Sequence, residues 1–391
     1  MKAVKHINPP EWMIRSATET VMRAIGGYDN PAQSLFVGGS VRDELLHRPV
    51  HDIDIATILT PDVIMERLEK AGIKAVPTGL DHGTVTAVNE GKSFEITTLR
   101  KDIETDGRRA VVGFTTDWRQ DAERRDFTMN TLLAGPDGAI YDPTKQGLTD
   151  LDNRHVVFVG EPRARIREDF LRILRFFRFH AQIGQGPADR DALEASRLEA
   201  ENIGTLSRER ITQEMLKLLS VGDPSQTLIM MFENNVLRDL PDADFKPDIL
   251  LRLSQFQARN DSFDLTARLF VLAGLKDHDF EKYLILSNAQ KKEISQMAKA
   301  WEFFGDISEK NLKVLIYRYK NRIALQVLFL RLIAEGIDND NLILLAKTWT
   351  APVFPVTGAD LIAQGLNPGP ELGRTLEKME QDWIDHGFAT P

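Results

Sequence analysis

The sequence predicts an α+β protein, with a small unit of short strands and helices first and an all-helical remainder behind it. Three observations carry this. Strand-length apolar runs alternate with helical stretches over roughly the first 150 residues. After about Gly160, apolar residues recur at helical spacing, as in Phe170, Ile173, Leu174 and Phe177, and again in Met215, Leu218 and Leu219. A last segment, from Ala351, is set off by Pro352 and Pro355 and has its own turn at 365–370, which reads as a joint between two helices of a separate tail.

The elements follow in chain order. Ser34 to Val37 reads as a short buried strand that stops at Gly38 and Gly39, and a helical segment runs on through Leu46. A second strand covers His51 to Ala56. Thr60 is a natural N-cap, and Pro61 suits the first turn of the amphipathic helix it opens. Thr84 to Val88 and Ser93 to Leu99 read as further strands, joined by a turn at Asn89, Glu90 and Gly91. The stretch 100–109 is polar and contains glycine, and reads as a mobile exposed loop.

Composition narrows the function classes. At 391 residues the chain has room for two or more compact units. Cysteine is absent, which removes disulfides and thiolate metal sites and suits a reducing cytoplasm. The first residues hold no apolar run of signal-peptide type, and no stretch approaches ~20 uncharged apolar residues, so no membrane partner is expected. A net charge of -9 argues against a broad, sequence-blind nucleic-acid binder, and no DNA partner is expected. Any RNA surface must be local. Six arginines (163, 165, 167, 172, 175 and 178) against three acids between Glu161 and His180 form one such region, and 310–322 is a weaker basic and aromatic one. The eight histidines are scattered and His278-Asp279 has no companions, so no phosphohydrolase metal cluster is expected.

The most informative segment is Gly38-Gly39-Ser40-Val41-Arg42-Asp43 followed by His51-Asp52-Ile53-Asp54-Ile55. Residues two apart on a strand share a face, so Asp52 and Asp54 project together while Ile53 and Ile55 face the core. Two neighbouring carboxylates repel unless a cation or proton sits between them, and magnesium, with hard oxygen ligands and room for phosphates, suits the pair. Glu95, flanked by Phe94 and Ile96 on a predicted neighbouring strand, is the candidate third carboxylate. Gly38 and Gly39 ahead of a helix allow close approach of a triphosphate to backbone amides. An isolated Asp-x-Asp or a double glycine is usually only a surface feature or a turn; together in one short stretch they point to metal-dependent nucleotidyl transfer.

Over 35–219 the chain resembles the class II tRNA nucleotidyltransferases and the related bacterial poly(A) polymerases. The glycine turn with Asp52 and Asp54 is similar to that family's metal-binding motif, and Arg124-Arg125-Asp126-Phe-Thr-Met-Asn130 to its ribose-reading motif. Asp142-Pro143, Gly147 and Asp150-Leu151 resemble its hinge motif, Glu168-Asp169-Phe-Leu-Arg172 its base-reading motif, and Ser207 to Ile211 the helix supporting that motif. Phe170 stands where proline is common in relatives and Ser40 where alanine is. The resemblance implies a polymerase-beta-like head with a mixed sheet, followed by helical neck, body and tail in a seahorse shape. The corresponding segments are a helical lead at 1–27, head at 28–160, neck at 161–222, body at 223–345 and tail at 346–391.

The resemblance further implies addition of CCA to the tRNA 3′ end from CTP and ATP with two magnesium ions, the RNA partner being that end and the acceptor stem. Asp52 and Asp54 are the metal ligands, with Glu95 as a further catalytic carboxylate. Gly38, Gly39, Arg42, Arg124, Arg125, Asp126, Asn130, Asp169, Arg172 and Arg175 are the nucleotide-binding candidates. Asp126 could accept from a ribose 2′-hydroxyl, and Asn130 either touches the nucleotide or pins the backbone. Arg124, Arg125 and Asp126 could equally form a structural ion-pair cluster, and Arg42 a helix-surface pair. Asp169 and Arg172, at i and i+3 on a predicted helix, would share a face. A carboxylate accepts and a guanidinium donates, which complements cytosine and adenine and mismatches uracil and guanine. Of the remaining arginines, some would meet acceptor-stem phosphates. A loop at 100–109 is linked in the family to the switch from C to A addition. Partial CC- or A-adding enzymes, poly(A) polymerases and a catalytically silent RNA-binding protein are the alternatives.

Overall fold

The computed structural model describes residues 1–106, 109–236, 245–276, 280 and 284–389. His278 and Asp279, and the tip of the 100–109 stretch at Gly107 and Arg108, lie outside them. The chain forms two compact units: Met1–Glu214 with Met230–Val236, and Met215–Ile229 with Leu237–Pro391. The expected head, 28–160, and residues 161–214 of the expected neck thus belong to one unit, and residues 215–222 of that neck to the other.

The first unit is built on an eight-stranded mixed sheet. Its strands are β1 (Lys5–His6), β2 (Ser34–Val37), β3 (Ile53–Thr57), β4 (Lys74–Gly79), β5 (Thr84–Asn89), β6 (Lys92–Thr98), β9 (Leu133–Ala134) and β10 (Ala139–Tyr141). A separate hairpin pairs β7 (Arg100–Asp106) with β8 (Arg109–Phe114). The sheet order is β1-β10-β9-β2-β3-β6-β5-β4, and only β3 and β6 run parallel. Helices α1 (Glu11–Ile14), α2 (Ser16–Ala24), α3 (Gly39–Leu45), α4 (Pro61–Lys70), α5 (Trp118–Glu123) and α6 (Gly147–Asp152) accompany the strands; α7 (Pro162–Glu168), α8 (Leu171–Ile183), α9 (Arg190–Glu199) and α10 (Arg208–Leu219) follow.

Local sequence explains most of these boundaries. All four residues of β2 are buried, as a central strand covered on both faces requires. The strand ends at Gly38, whose φ of 69° lies in the left-handed region that a side chain disfavours. Glu90 and Gly91, at φ 48° and 72°, make the two-residue turn between β5 and β6, with both central φ values positive as a type I′ hairpin requires. Thr60 occupies the N-cap of α4 and Pro61 its first turn, but the Thr60 hydroxyl caps no amide, so Pro61 alone supplies the start signal.

Two expectations change. The described residues 100–106 and 109 belong to the β7–β8 hairpin instead of a free loop: Arg100 pairs with Phe114 and Asp106 with Arg109. The polar run Arg100–Asp106 escapes the eye because it lacks the apolar alternation that marks a half-buried strand. The helix expected to carry both Asp169 and Arg172 is broken between them. Asp169 ends α7 in an extended conformation (φ -157°, ψ 105°), and Arg172 lies in the first turn of α8. The i, i+3 spacing is retained, but as a cap-like junction in which the Leu171 amide donates to Asp169 Oδ1 at 3.1 Å.

An aromatic column holds α8 on the sheet side of this unit. Phe127 lies 4.7 Å from Phe158 and 5.4 Å from Phe179, and Phe158 lies 5.9 Å from Phe176. Phe127, Phe158, Phe176 and Phe177 are fully buried, so each contributes a large apolar area to one core.

The second unit is helical among its described residues. Its longest helix, Glu309–Glu335, is interrupted at Lys320, whose φ is 69°. The basic stretch 310–322 begins this helix and is largely occupied within the unit. Tyr317 donates to Glu380, Arg318 reaches Gln381, and Arg322 bridges Asp264 and Glu293. Trp383, Tyr317, Phe354 and Phe388 form an aromatic cluster that fastens the final helix, Pro370–Asp385. The 365–370 turn joins that helix to Gly358–Ala363. No described helix is long and apolar enough to cross a membrane.

Phe36, fully buried in β2 with Trp12 edge-on at 5.0 Å, tests the core. Phe36→Ala is expected to lower stability by about 3–5 kcal/mol in urea unfolding, a loss of under about 1 kcal/mol being inconsistent with this packing.

Candidate active site

Strand pairing places the acidic residues. Asp54, on β3, is directly opposite Glu95 on the parallel strand β6, so both side chains leave the same face of the sheet. Asp52 precedes β3 by one residue and is exposed, so it reaches the cluster from the strand's entrance and not from within the ladder. The Asp54 carboxyl is pushed from 3.8 to about 6, chiefly by burial and by the neighbouring Glu95; Arg125 pulls it down and Asp52 pushes it up further. Among the described residues no group of three or more acidic or histidine side chains gathers as a metal site. Glu95 stands opposite Asp54 and its charge raises the Asp54 carboxyl. Its side chain is exposed, whereas Asp54 is partly buried. The donor chemistry still fits magnesium: two hard carboxylates in a hollow of excess negative charge, with the remaining coordination open to water and phosphate.

The glycine turn borders this hollow. A side-chain carbon placed on Gly38 would stand 3.9 Å from Asp54 Oδ2 and 3.7 Å from Arg125 Nη1, so the glycine keeps that space clear. Arg42, three residues into α3, faces inward and is buried. It forms a bidentate pair with Asp43 at 2.9 Å and donates to Asn130 Oδ1 at 2.8 Å. Arg42 thus belongs to an internal network with Asp43 and Asn130.

Asn130 pins that network, donating to Asp126 Oδ1 at 3.0 Å. Asp126 is 8% exposed, and both of its carboxylate oxygens accept hydrogen bonds. The Phe127 amide and Asn130 serve Oδ1, and Arg175 Nε and Nη2 serve Oδ2 at 2.7 and 2.5 Å. Burial would raise its pKa, but Arg175, Asn130 and the Phe127 amide together hold it below the usual carboxylate range. Asp126 thus anchors Arg175 and Asn130.

Arg175 lies on α8 and is in turn near Glu214 on α10, at 4.0 Å, with Arg178 Nε bonded to Glu214 at 2.5 Å. Phe179 has Arg42, Arg175 and Arg178 at 5.0, 5.3 and 3.9 Å from its ring centre. Sequence reasoning missed Glu214 and Phe179. An acid on the buried side of an amphipathic helix was the available signal for the first.

Asp169 and Arg172 remain able to read a ligand. Asp169 Oδ1 accepts one amide and Oδ2 one bond from Arg210 at 2.7 Å, which leaves a lone pair on each oxygen. Arg172 donates through Nη1 to the Arg165 carbonyl and Glu168, and through Nη2 to the Arg124 carbonyl at 3.3 Å. Its Nε–H and a second Nη2–H are outside these bonds. The Arg165 guanidinium also donates to the carbonyls of Arg124 and Arg125, so the segments carrying Arg124–Asn130 and Glu168–Arg172 are cross-tied. Arg163 and Arg167 pair with Glu199.

The charge state of Asp54 has a measurable consequence. Below its ordinary value of 3.8 the carboxyl is neutral in both folded and unfolded chains, and the site carries no penalty. As pH rises, the unfolded chain ionises first, and the folded chain is increasingly disfavoured until its own carboxyl ionises near pH 6. Asp54→Asn is therefore expected to stabilise the metal-free protein by about 1–3 kcal/mol at about pH 7.5 and to be neutral near pH 4, as read from urea unfolding in EDTA. Equal effects at both pH values would contradict the strained carboxylate.

Comparison with known proteins agrees with this geometry. The model for the poly A polymerase head domain matches residues 34–157, and that for the probable RNA and SrmB-binding site of polymerase A matches 189–246. The mitochondrial CCA tRNA nucleotidyltransferase 1 of Mus musculus is 35% identical over 373 residues, spanning 90% of this chain and 82% of its own. The CCA-adding enzyme of Levilactobacillus brevis is 32% identical over 387 residues, spanning 96% and 94%. The crystal structure of the Bacillus stearothermophilus CCA-adding enzyme in complex with CTP superposes with a TM-score of 0.77 at 27% identity, over 96% of this chain and 94% of that one. With a mixed-sheet head, a glycine turn beside paired carboxylates and relatives matched along nearly their whole length, the chain belongs to the family of CCA-adding enzymes, the CCA tRNA nucleotidyltransferases.

Proposed function

We propose that the protein adds C, C and A in order to the 3′ end of tRNA, taking CTP and ATP and releasing pyrophosphate, without a nucleic-acid template. The observation that carries the reading is the meeting of Asp54 Oδ2 and Arg125 Nη1 at the Gly38 turn, 3.9 and 3.7 Å from where a side-chain carbon would stand, with the Asp54 carboxyl pushed up to about 6. A carboxylate and a guanidinium beside a glycine turn suit a metal-bound triphosphate.

Asp52 and Asp54 would hold two magnesium ions, with Glu95 adding negative charge nearby. When bound, these ions polarise the attacking 3′-hydroxyl and neutralise the triphosphate. The protein's own groups then position the nucleotide. The open backbone at Gly38 and Gly39 admits the phosphates, and Arg125 Nη1 faces them. Asp169 accepts from the exocyclic amino group of cytosine or adenine, and Arg172 donates to the adjacent ring acceptor. Uracil and guanine set acceptor against acceptor and donor against donor. A misplaced contact costs ~1–3 kcal/mol, and buried groups left unpaired add to the rejection. The lack of cysteine supports a cytoplasmic setting for this work.

A tRNA transcript ending at the discriminator base should gain C, C and A when CTP and ATP are supplied, and nothing from UTP or GTP. Gel resolution of the product separates this from CC-only, A-only or poly(A) products. Asp52→Ala and Asp54→Ala are each expected to lower incorporation by at least about 1,000-fold, and Glu95→Gln by less than about 30-fold. Incorporation of UTP at a rate close to that of CTP would refute the base-reading assignment.

A further inference from the structure

Asp121 plays no part in the sequence reading, yet three separate strands of the nucleotide site meet on it. On α5 it precedes Arg124, the helix C-cap, by three residues and Arg125, just beyond it, by four, so the end of the helix brings both guanidiniums back onto it. Its side chain is 4% exposed. Oδ1 accepts from Arg124 Nε at 3.0 Å and Nη2 at 2.7 Å; Oδ2 accepts from Arg125 Nε at 3.0 Å and Nη2 at 2.9 Å. Oδ1 also accepts the backbone amide of Arg100, the first residue of β7, at 3.0 Å. Burial pushes this carboxyl up, but Arg125, Arg124 and the Arg100 amide outweigh it and keep the group ionised.

The geometry has a direction. The carboxylate grips the same Nε/Nη2 edge of both guanidiniums and leaves Nη1 of each outside its grasp. For Arg125 that nitrogen borders the Gly38 turn and the Asp54 hollow. Held by one edge, a guanidinium cannot swivel about its long side chain, so its remaining donors meet a ligand without losing rotamer freedom. We propose that Asp121 is a positioning residue for the incoming nucleotide: it sets Arg124 and Arg125 edge-on, aims Arg125 Nη1 at the triphosphate, and ties both arginines to the base of the β7–β8 hairpin. The inference rests on the nucleotidyl-transfer reading of the same cleft.

The test compares the full chain with Asp121→Asn, Arg125→Gln and the double variant, measuring CTP and ATP dissociation constants by calorimetry alongside KM for each nucleotide and for tRNA. Asp121→Asn is expected to weaken CTP and ATP about tenfold while KM for tRNA stays within about twofold. In the Arg125→Gln background the same change should add less than about threefold, since the two residues act through one contact. Asp121→Glu keeps the charge but moves it by a methylene, and is expected to weaken nucleotide binding about threefold; it carries the test should Asp121→Asn fail to fold. Unchanged nucleotide constants in Asp121→Glu and in folded Asp121→Asn, equal losses for tRNA and nucleotide, or fully multiplicative effects with Arg125→Gln would overturn the inference. A chain that binds CTP yet extends no tRNA would instead count against the transfer reading, with the comparison of dissociation constants still deciding the role of Asp121.

Discussion

The buried ion pair between Asp126 and Arg175 is the constraint on which the site depends. It joins the segment following α5 to the middle of α8, and its removal from water is tolerated because both oxygens of Asp126 are hydrogen-bonded and paired with a guanidinium. From it the network runs one way through Asn130 to Arg42 on α3, and the other way towards Glu214 on α10. On the proposed reading, the phosphates at Gly38 and Asp54 and the base at Asp169 and Arg172 would meet groups of this one unit. An enzyme that chooses nucleotides without a template needs that fixed span, because the protein alone supplies the discrimination.

Charge is distributed unevenly along this framework, and the unevenness is functional. Asp121 and Asp126 are held ionised by the arginines that surround them. Asp54, with Glu95 opposite and Asp52 close by, is the carboxylate left in excess. Stabilising the first two rigidifies the cleft; leaving the third uncompensated makes the cleft wait for a cation. The net charge of -9 for the whole chain is compatible with an RNA substrate on these terms, since the cationic groups are concentrated where the nucleotide and acceptor end would lie.

Much of the fold was legible in the sequence. The limits of β2, the Gly38 turn and the β5–β6 hairpin follow from short-range chemistry, and the structure places them within a residue or two. The paired positions of Asp54 and Glu95 were also expected, because both sit in apolar strands. What escaped was governed by tertiary partners. Nothing in the text 100–109 distinguishes a polar hairpin from a loop, and nothing in Glu168-Asp169-Phe170 announces that a helix stops there. The burial of Asp126, and with it the pair to Arg175, could not be read. Asp121, by contrast, was available: an acid three and four residues ahead of consecutive arginines at a helix end is a pattern with a mechanism.

The most direct measurement is a crystal structure of the protein with a non-hydrolysable CTP analogue and magnesium. The expected density places the triphosphate between the Gly38 turn, Asp54 and Arg125, with the cytosine amino group on Asp169 and a ring acceptor on Arg172. A nucleotide bound with its phosphates away from Asp52 and Asp54, or with its base out of reach of Asp169 and Arg172, would contradict the assignment of this cleft.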